Sequence, residues 1–148
     1  MPVSRSRGFT LTEILVVVGI ASILAMVAIP SYQDQVRKSR RSDAKQSLET
    51  VAHRLERCYT QLRRFDSLEC DQVDAGPTVD TQSQEGHYAI ASLDPNGGET
   101  LTPQSFTLFA TPQGAQVGDR VCARFELDHS SLHRAFDADG NLTTDRCW

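Results

Sequence analysis

The chain has 148 residues, a formal charge of −4 and a hydrophobic content of 39%. That is room for one small domain plus a separate N-terminal segment. The acidic balance excludes a global electrostatic pull toward nucleic acid or anionic lipid. Four cysteines are an even number. In a small, thin-cored domain they favour two disulfides and an oxidising compartment. No C-x-x-C pair or Cys/His cluster points to zinc instead.

The first element is an apolar run from Phe9 to Ile29. As a helix it would measure about 31 Å at 1.5 Å per residue, close to the roughly 30 Å hydrocarbon core of a bilayer. No A-x-A-like site follows it, so a retained membrane helix is expected rather than a secretory signal. Two features disturb that reading. Glu13 lies inside the run, where a carboxylate costs about 2.5–3.5 kcal/mol at a helix centre and less near an end. The cations also conflict with the cysteines. Arg5 and Arg7 precede the run, whereas Arg37, Lys38, Arg40, Arg41 and Lys45 follow it, which by the positive-inside rule would leave the C-terminal part in the cytoplasm.

The stretch Arg7-Gly8-Phe9-Thr10-Leu11-Thr12-Glu13 resembles the class III signal sequence of type IV prepilins. That signal is a short basic leader ending in Gly, a Phe at the mature start and a Glu four residues later. The resemblance implies cleavage between Gly8 and Phe9 by prepilin peptidase on the cytoplasmic face, N-methylation of Phe9, and a C-terminal domain outside the cytoplasm. It also implies that Glu13 meets the charged mature N-terminus of a neighbouring subunit during assembly, where pairing offsets the desolvation of both charges. The alternative is a polar residue tolerated near a helix end through snorkelling. Thr12 departs from the family, which more often has Leu there. Removal of the leader takes away Arg5 and Arg7, so the charge of −4 falls by two, to −6.

Pro30 closes the apolar run. An internal proline removes one backbone bond and clashes with the preceding turn, so a kink is expected. The helix should nonetheless continue, because amphipathic periodicity resumes from Tyr32 to Leu62. Ala44, Leu48, Val51, Ala52, Leu55, Tyr59 and Leu62 recur at spacings of three and four. That face should pack on a sheet and leave Arg40, Arg41, Lys45, Glu49, Arg54 and Arg57 largely solvated.

Residues 63–85 are polar and hold Gly76-Pro77, so a loop is expected. Cys58 near the helix end and Cys70 in the loop could form a bridge pinning one to the other. Four strands should follow: His87–Leu93, Ser105–Thr111, Arg120–Leu127 and His133–Phe136. A helix followed by consecutive hairpins is an α+β pattern, with the antiparallel sheet laid on the helix. The C-terminal half, ending Asp145-Arg146-Cys147-Trp148, also resembles minor pilins, and that resemblance implies a Cys122–Cys147 bridge. The expected organisation is a leader at 1–8, a transmembrane and filament-core half-helix at 9–30, and an amphipathic half at 31–63. An αβ loop at 64–86 and a four-stranded, disulfide-bounded region at 87–148 complete it. The expected fold is thus the pilin fold.

Asp137, Asp139, Asn141 and Asp145 are candidate calcium ligands, because hard oxygens at alternating positions suit that ion. Asp-Gly-Asn is equally an ordinary turn. Two basic groups are candidates for DNA phosphates, the run Arg37–Lys45 and the set Arg120, Arg124, Arg134 and Arg146. Lipid headgroups or acidic filament neighbours suit the first group better, and nearby acids dilute the second. Asn141-Leu142-Thr143 fits a glycosylation sequon. His53, His87, His129 and His133 show no metal spacing. No nucleophile–base set or phosphate-binding glycine loop is present, so neither catalysis nor a cofactor is expected.

The resemblance implies a structural subunit, a minor pilin, supporting pilus biogenesis, adhesion or motility. Its partners would be other pilin subunits, prepilin peptidase and the assembly platform in the inner membrane, with DNA a lesser expectation. It would sit in the inner membrane before assembly and in the extracellular pilus afterwards. The alternatives are a type II secretion pseudopilin, a DNA-binding competence pilin, a major pilin, or a membrane-anchored periplasmic enzyme or binding domain.

Overall fold

The computed structural model describes residues 9–148 apart from Ala75, Pro77 and Pro95. Helix α1 (Leu11–Leu62) has 52 residues and stays helical through Pro30. The chain divides into two compact units, one up to Val36 and one from Arg37 to Trp148. In the first unit the large apolar side chains from Leu11 to Ile29 are exposed. This stretch of α1 is long and apolar enough to cross a membrane.

In the second unit α1 buries Asp43, Ala44, Ser47, Leu48, Val51, Ala52 and Leu55. These positions repeat every four residues, which keeps them on one face. The helix stops at Arg63, whose φ of 59° is left-handed. Its N–H still reaches the Tyr59 carbonyl at 2.8 Å, so a residue other than glycine closes the helix here.

The buried face packs against an antiparallel meander of five strands in the order β1-β2-β3-β4-β5. They are β1 (Asp80–Gln82), β2 (Tyr88–Ala91), β3 (Thr107–Pro112), β4 (Arg124–Asp128) and β5 (His133–Phe136). Alternation sends Tyr88, Ile90, Leu108, Ala110, Phe125, Leu127 and Ala135 into the core with the helix residues. A 3-10 turn at Gly114–Gly118 links β3 to β4, and a short helix α2 (Thr144–Cys147) ends the chain. Cys58 is bonded to Cys70 and Cys122 to Cys147. Around the first bridge, Tyr59 stacks on Phe65 with centroids 4.5 Å apart, and Phe65 meets Phe106 edge-on at 5.0 Å.

The sheet has five strands, not four. The additional strand, β1, falls within the 64–86 segment expected to be loop. Asp80, Thr81 and Gln82 are all exposed and offer no apolar alternation. What holds the β1–β2 hairpin is polar and comes from α1. The buried Asp43 carboxylate accepts the Ser83 hydroxyl at 2.6 Å, the Glu85 N–H at 3.1 Å and the His87 N–H at 3.3 Å. Ser47 accepts the Gln84 N–H at 3.2 Å. β4 also begins at Arg124 rather than Arg120. Residues 120–122 are bent because the Asp119 carboxylate holds the Cys122 N–H and Cys122 is tied to Cys147.

Candidate functional site

Of the expected processing junction, Gly8 lies outside the described residues, as do Arg5 and Arg7. From Phe9 onward the first helical turn has a defined geometry. Phe9 is 80% exposed. The Thr10 hydroxyl accepts the Glu13 N–H at 3.3 Å, and the Glu13 carboxylate lies 3.5 Å from the Thr10 N–H. This reciprocal T-x-x-E arrangement is a capping box, in which two otherwise unsatisfied N–H groups at a helix start find acceptors. The Thr12 hydroxyl lies 3.2 Å from that of Thr10. Glu13 therefore belongs to its own helix cap within the single chain. Its carboxylate also sits where the positive end of the helix dipole favours an anion.

The basic run after the membrane stretch is not uniformly solvated. Arg41 forms a two-pronged pair with Asp119, at 2.7 Å and 2.9 Å, with its side chain 12% exposed and that of Asp119 2%. Lys45 lies 5.8 Å from the Trp148 ring centroid. Burial, then the neighbouring Arg41 charge, pulls its pKa below the ordinary lysine value. These two cations do structural work on α1, whereas Lys38 points to solvent. The expectation of a solvated face fails at Arg41 because its partner lies far along the chain, in the turn after β3.

Around that pair lies a buried polar cluster. Gln116 donates from Nε2 to the Tyr88 hydroxyl at 2.9 Å, with the Asp119 carboxylate and the Arg37 carbonyl each at 3.2 Å. Burial pushes the Tyr88 hydroxyl pKa up to about 12. The Gln116 Oε1 atom has no partner among the described residues.

Three of the second set of DNA candidates are engaged with acids, whereas Arg146, in α2, is exposed and forms no ion pair among the described residues. Arg124 bonds Glu126 at 3.0 Å and lies over the Phe136 ring at 4.5 Å. Arg134 lies 3.6 Å from Glu126 and 3.4 Å from Asp128, and Arg120 lies 3.6 Å from Asp139. A cluster of exposed cations lies at the C-terminal end of α1. Arg54, Arg57 and Arg63 are exposed and form no ion pair among the described residues, and Arg64 pairs with Asp66 at 2.6 Å. A sequence signal for this segregation exists, because no Lys or Arg occurs from Phe65 to Asp119.

The calcium candidates do not converge. Asp137 accepts the N–H groups of Asp139 at 2.9 Å and Asn141 at 2.8 Å, closing the turn at Gly140. The Asn141 side-chain amide, then these backbone donors, hold the Asp137 carboxyl below its usual range. Asp145 is instead in the first turn of α2. Among the described residues no group of three or more His, Cys, Asp or Glu is placed to hold a metal. The histidines contact acids or rings: His133 bonds Glu49 at 2.7 Å, and His129 meets Phe106 edge-on.

A long helix headed by a prepilin motif and packed on an antiparallel sheet defines the class as type IV pilins. Consistent with this, residues 3–29 match the prokaryotic N-terminal methylation motif. Residues 30–126 match the family described as "Type IV minor pilin ComP, DNA uptake sequence receptor", and the chain belongs to that minor pilin family. It is 36% identical over 100 residues to the prepilin peptidase-dependent protein D of Escherichia coli K12, covering 68% of this chain and 65% of that one. A type IV major fimbrial protein FimA of Dichelobacter nodosus is 30% identical over 124 residues, 80% of this chain and 73% of its own. The first curated relatives are spanned over 54–65% of their length. In fold, the chain resembles the non-core minor pilin PilV of Neisseria meningitidis, with TM-score 0.50 and 18% identity over 72% of this chain and 93% of that one.

Proposed function

We propose that this chain is a minor subunit of a type IV pilus that supports pilus biogenesis, adhesion or motility. Prepilin peptidase cuts between Gly8 and Phe9, and Phe9 is N-methylated. The apolar half of α1 holds the subunit in the inner membrane with its sheet domain in the periplasm. The assembly platform then passes it into the extracellular filament. The observation that carries this reading is the first turn of α1. There a carboxylate is held by a weak 3.5 Å contact beside the future N-terminus, at the head of an uncovered apolar helix. Such a carboxylate exchanges its contact with Thr10 for a full charge on a neighbour's N-terminus, which is a stronger, charge-assisted bond.

The test is quantitative N-terminal analysis of sheared, purified filaments. A trace component beginning at N-methyl-Phe9 supports the proposal. A dominant band would make this the major pilin, retention in the envelope would make it a secretion pseudopilin, and a retained Met1 would favour an anchored enzyme or binding domain.

The family description favours a second reading, DNA reception. Arg54, Arg57 and Arg63 at the end of α1 are its best clustered phosphate contacts here, because Arg120, Arg124 and Arg134 are engaged with acids. Replacing all three with Gln should weaken binding to any duplex and flatten its salt dependence by about three phosphate contacts. Unchanged DNA retention would remove this reading.

A further inference from the structure

The two edges of the sheet differ. The β5 edge is closed by the residues after it, since the Thr143 N–H reaches the Ala135 carbonyl at 2.7 Å and Leu142 bridges to Phe136. The β1 edge is open. Val79 and Ser83 exchange backbone bonds with β2, at 3.0 Å to Ser92 and 2.8 Å to Tyr88. Antiparallel alternation therefore turns the N–H and C=O groups of Asp80 and Gln82 outward, and no described residue takes them up. Beside this edge runs a groove of about 410 Å³ between β1 and α1, with Thr50, Val51, Arg54, Gln72 and Thr81 in its walls. It continues past Arg54 and Gln72 into a second depression of about 480 Å³, where Glu69 and Asp71 form part of the wall.

We propose that an extended segment of another pilin subunit adds to β1 as a sixth strand and fills this groove. The proposal rests on the assembly reading above. The register of β1 defines the chemistry of the incoming segment. Asp80 shares the outer face with Ala91, its partner on β2, whereas Thr81 shares the helix-facing side with Ile90. A residue beside Asp80 on the outer face is therefore Lys or Arg, and its neighbour, turned toward Thr50 and Arg54, is a hydrogen-bond acceptor such as Asp, Glu or Ser. Arg54 and Arg57 stand on the helix side of the groove, whereas its loop and β1 side carries acids, and there charge supports a cationic partner. Glu69, Asp71, Asp74 and Asp80 are exposed and form no ion pair among the described residues, and no Lys or Arg occurs from Phe65 to Asp119. Main-chain bonds to Asp80 and Gln82 supply affinity, and the alternating side chains supply selectivity, as in other strand-addition complexes.

The test uses the full-length chain in assembled filaments. A benzophenone amino acid at position 82 should cross-link to a Lys- or Arg-bearing segment of another pilin, and the same probe at position 139 should not. Asp80→Lys reverses the cross-strand charge and should lower the yield about fivefold. Asp80→Pro, which removes an outward N–H while leaving the probe at 82 in place, should abolish it. The Asp80 side chain forms no hydrogen bond or ion pair among the described residues, so Asp80→Lys keeps the test informative even where the proline variant misfolds. Equal capture at 82 and 139, capture of something other than a pilin, or unchanged yield with Asp80→Lys would overturn the strand addition. Absence of the parent chain from filaments would overturn the assembly reading and this proposal together. Its presence with an uncaptured edge would overturn this proposal alone.

Discussion

At the scale of residues, Glu13 has two competing partners. Inside one chain it closes the cap with Thr10, and under the assembly proposal it turns to a neighbour's amino group. Glu13→Ala should therefore leave leader cleavage intact and block incorporation, which immunoblots of whole cells and sheared filaments would separate. Normal incorporation would end the assembly role of this side chain. Tyr88 makes a prediction of another kind. Its folded pKa of about 12 exceeds the ordinary tyrosine value of about 10, so the native state keeps a proton that the unfolded chain releases. Stability from this group is full below pH 10 and declines as pH rises from 10 through 12, by an amount of order 2 kcal/mol. Tyr88→Phe should flatten that alkaline decline in denaturant titrations of the detergent-solubilised protein, although loss of the Gln116 hydrogen bond lowers the neutral-pH value.

At the scale of elements, the helix and the first hairpin depend on one carboxylate. Asp43→Ala leaves the Glu85 and His87 N–H groups and the Ser83 hydroxyl without their acceptor. It should cost about 1–3 kcal/mol. Amide exchange should rise selectively in residues 79–88, and uniform exchange across the sheet would contradict that assignment. The bridge between Cys58 and Cys70 closes a loop with a sequence separation of 12. Replacing both with Ser should lower stability by about 3 kcal/mol in the chain-entropy model, read as a shifted denaturation midpoint. How far these elements are legible in the sequence follows from what holds each of them. The membrane stretch, the buried stripe of α1 and strands β2 to β5 carry apolar periodicity that any linear reading detects. β1 carries none, because its three residues are polar and its anchor is Asp43, far away in sequence. The burial of Arg41 is hidden for the same reason, its partner being 78 residues distant. The Thr10–Glu13 cap is different. Its T-x-x-E spacing before an apolar run is a local signal, overshadowed by the prepilin motif that shares the same letters.

At the scale of the whole molecule, charge is sorted along the chain. Lys and Arg cluster on α1 and just after it and recur after Asp119, and the stretch from Phe65 to Asp119 carries acids but no Lys or Arg. Under the strand-addition proposal, the acids at β1 and in the loop before it draw a neighbour offering cations. The sorting has a consequence for digestion as well. Trypsin cleaves after Lys and Arg, so between Arg64 and Arg120 it has nowhere to cut, however far the loops open. The oxidised protein should yield the peptide Phe65–Arg120 still tethered through Cys70 to the short helix fragment bearing Cys58, and reduction should release the two. A surface filament carrying this subunit would present trypsin-like enzymes with a head whose central portion survives whole.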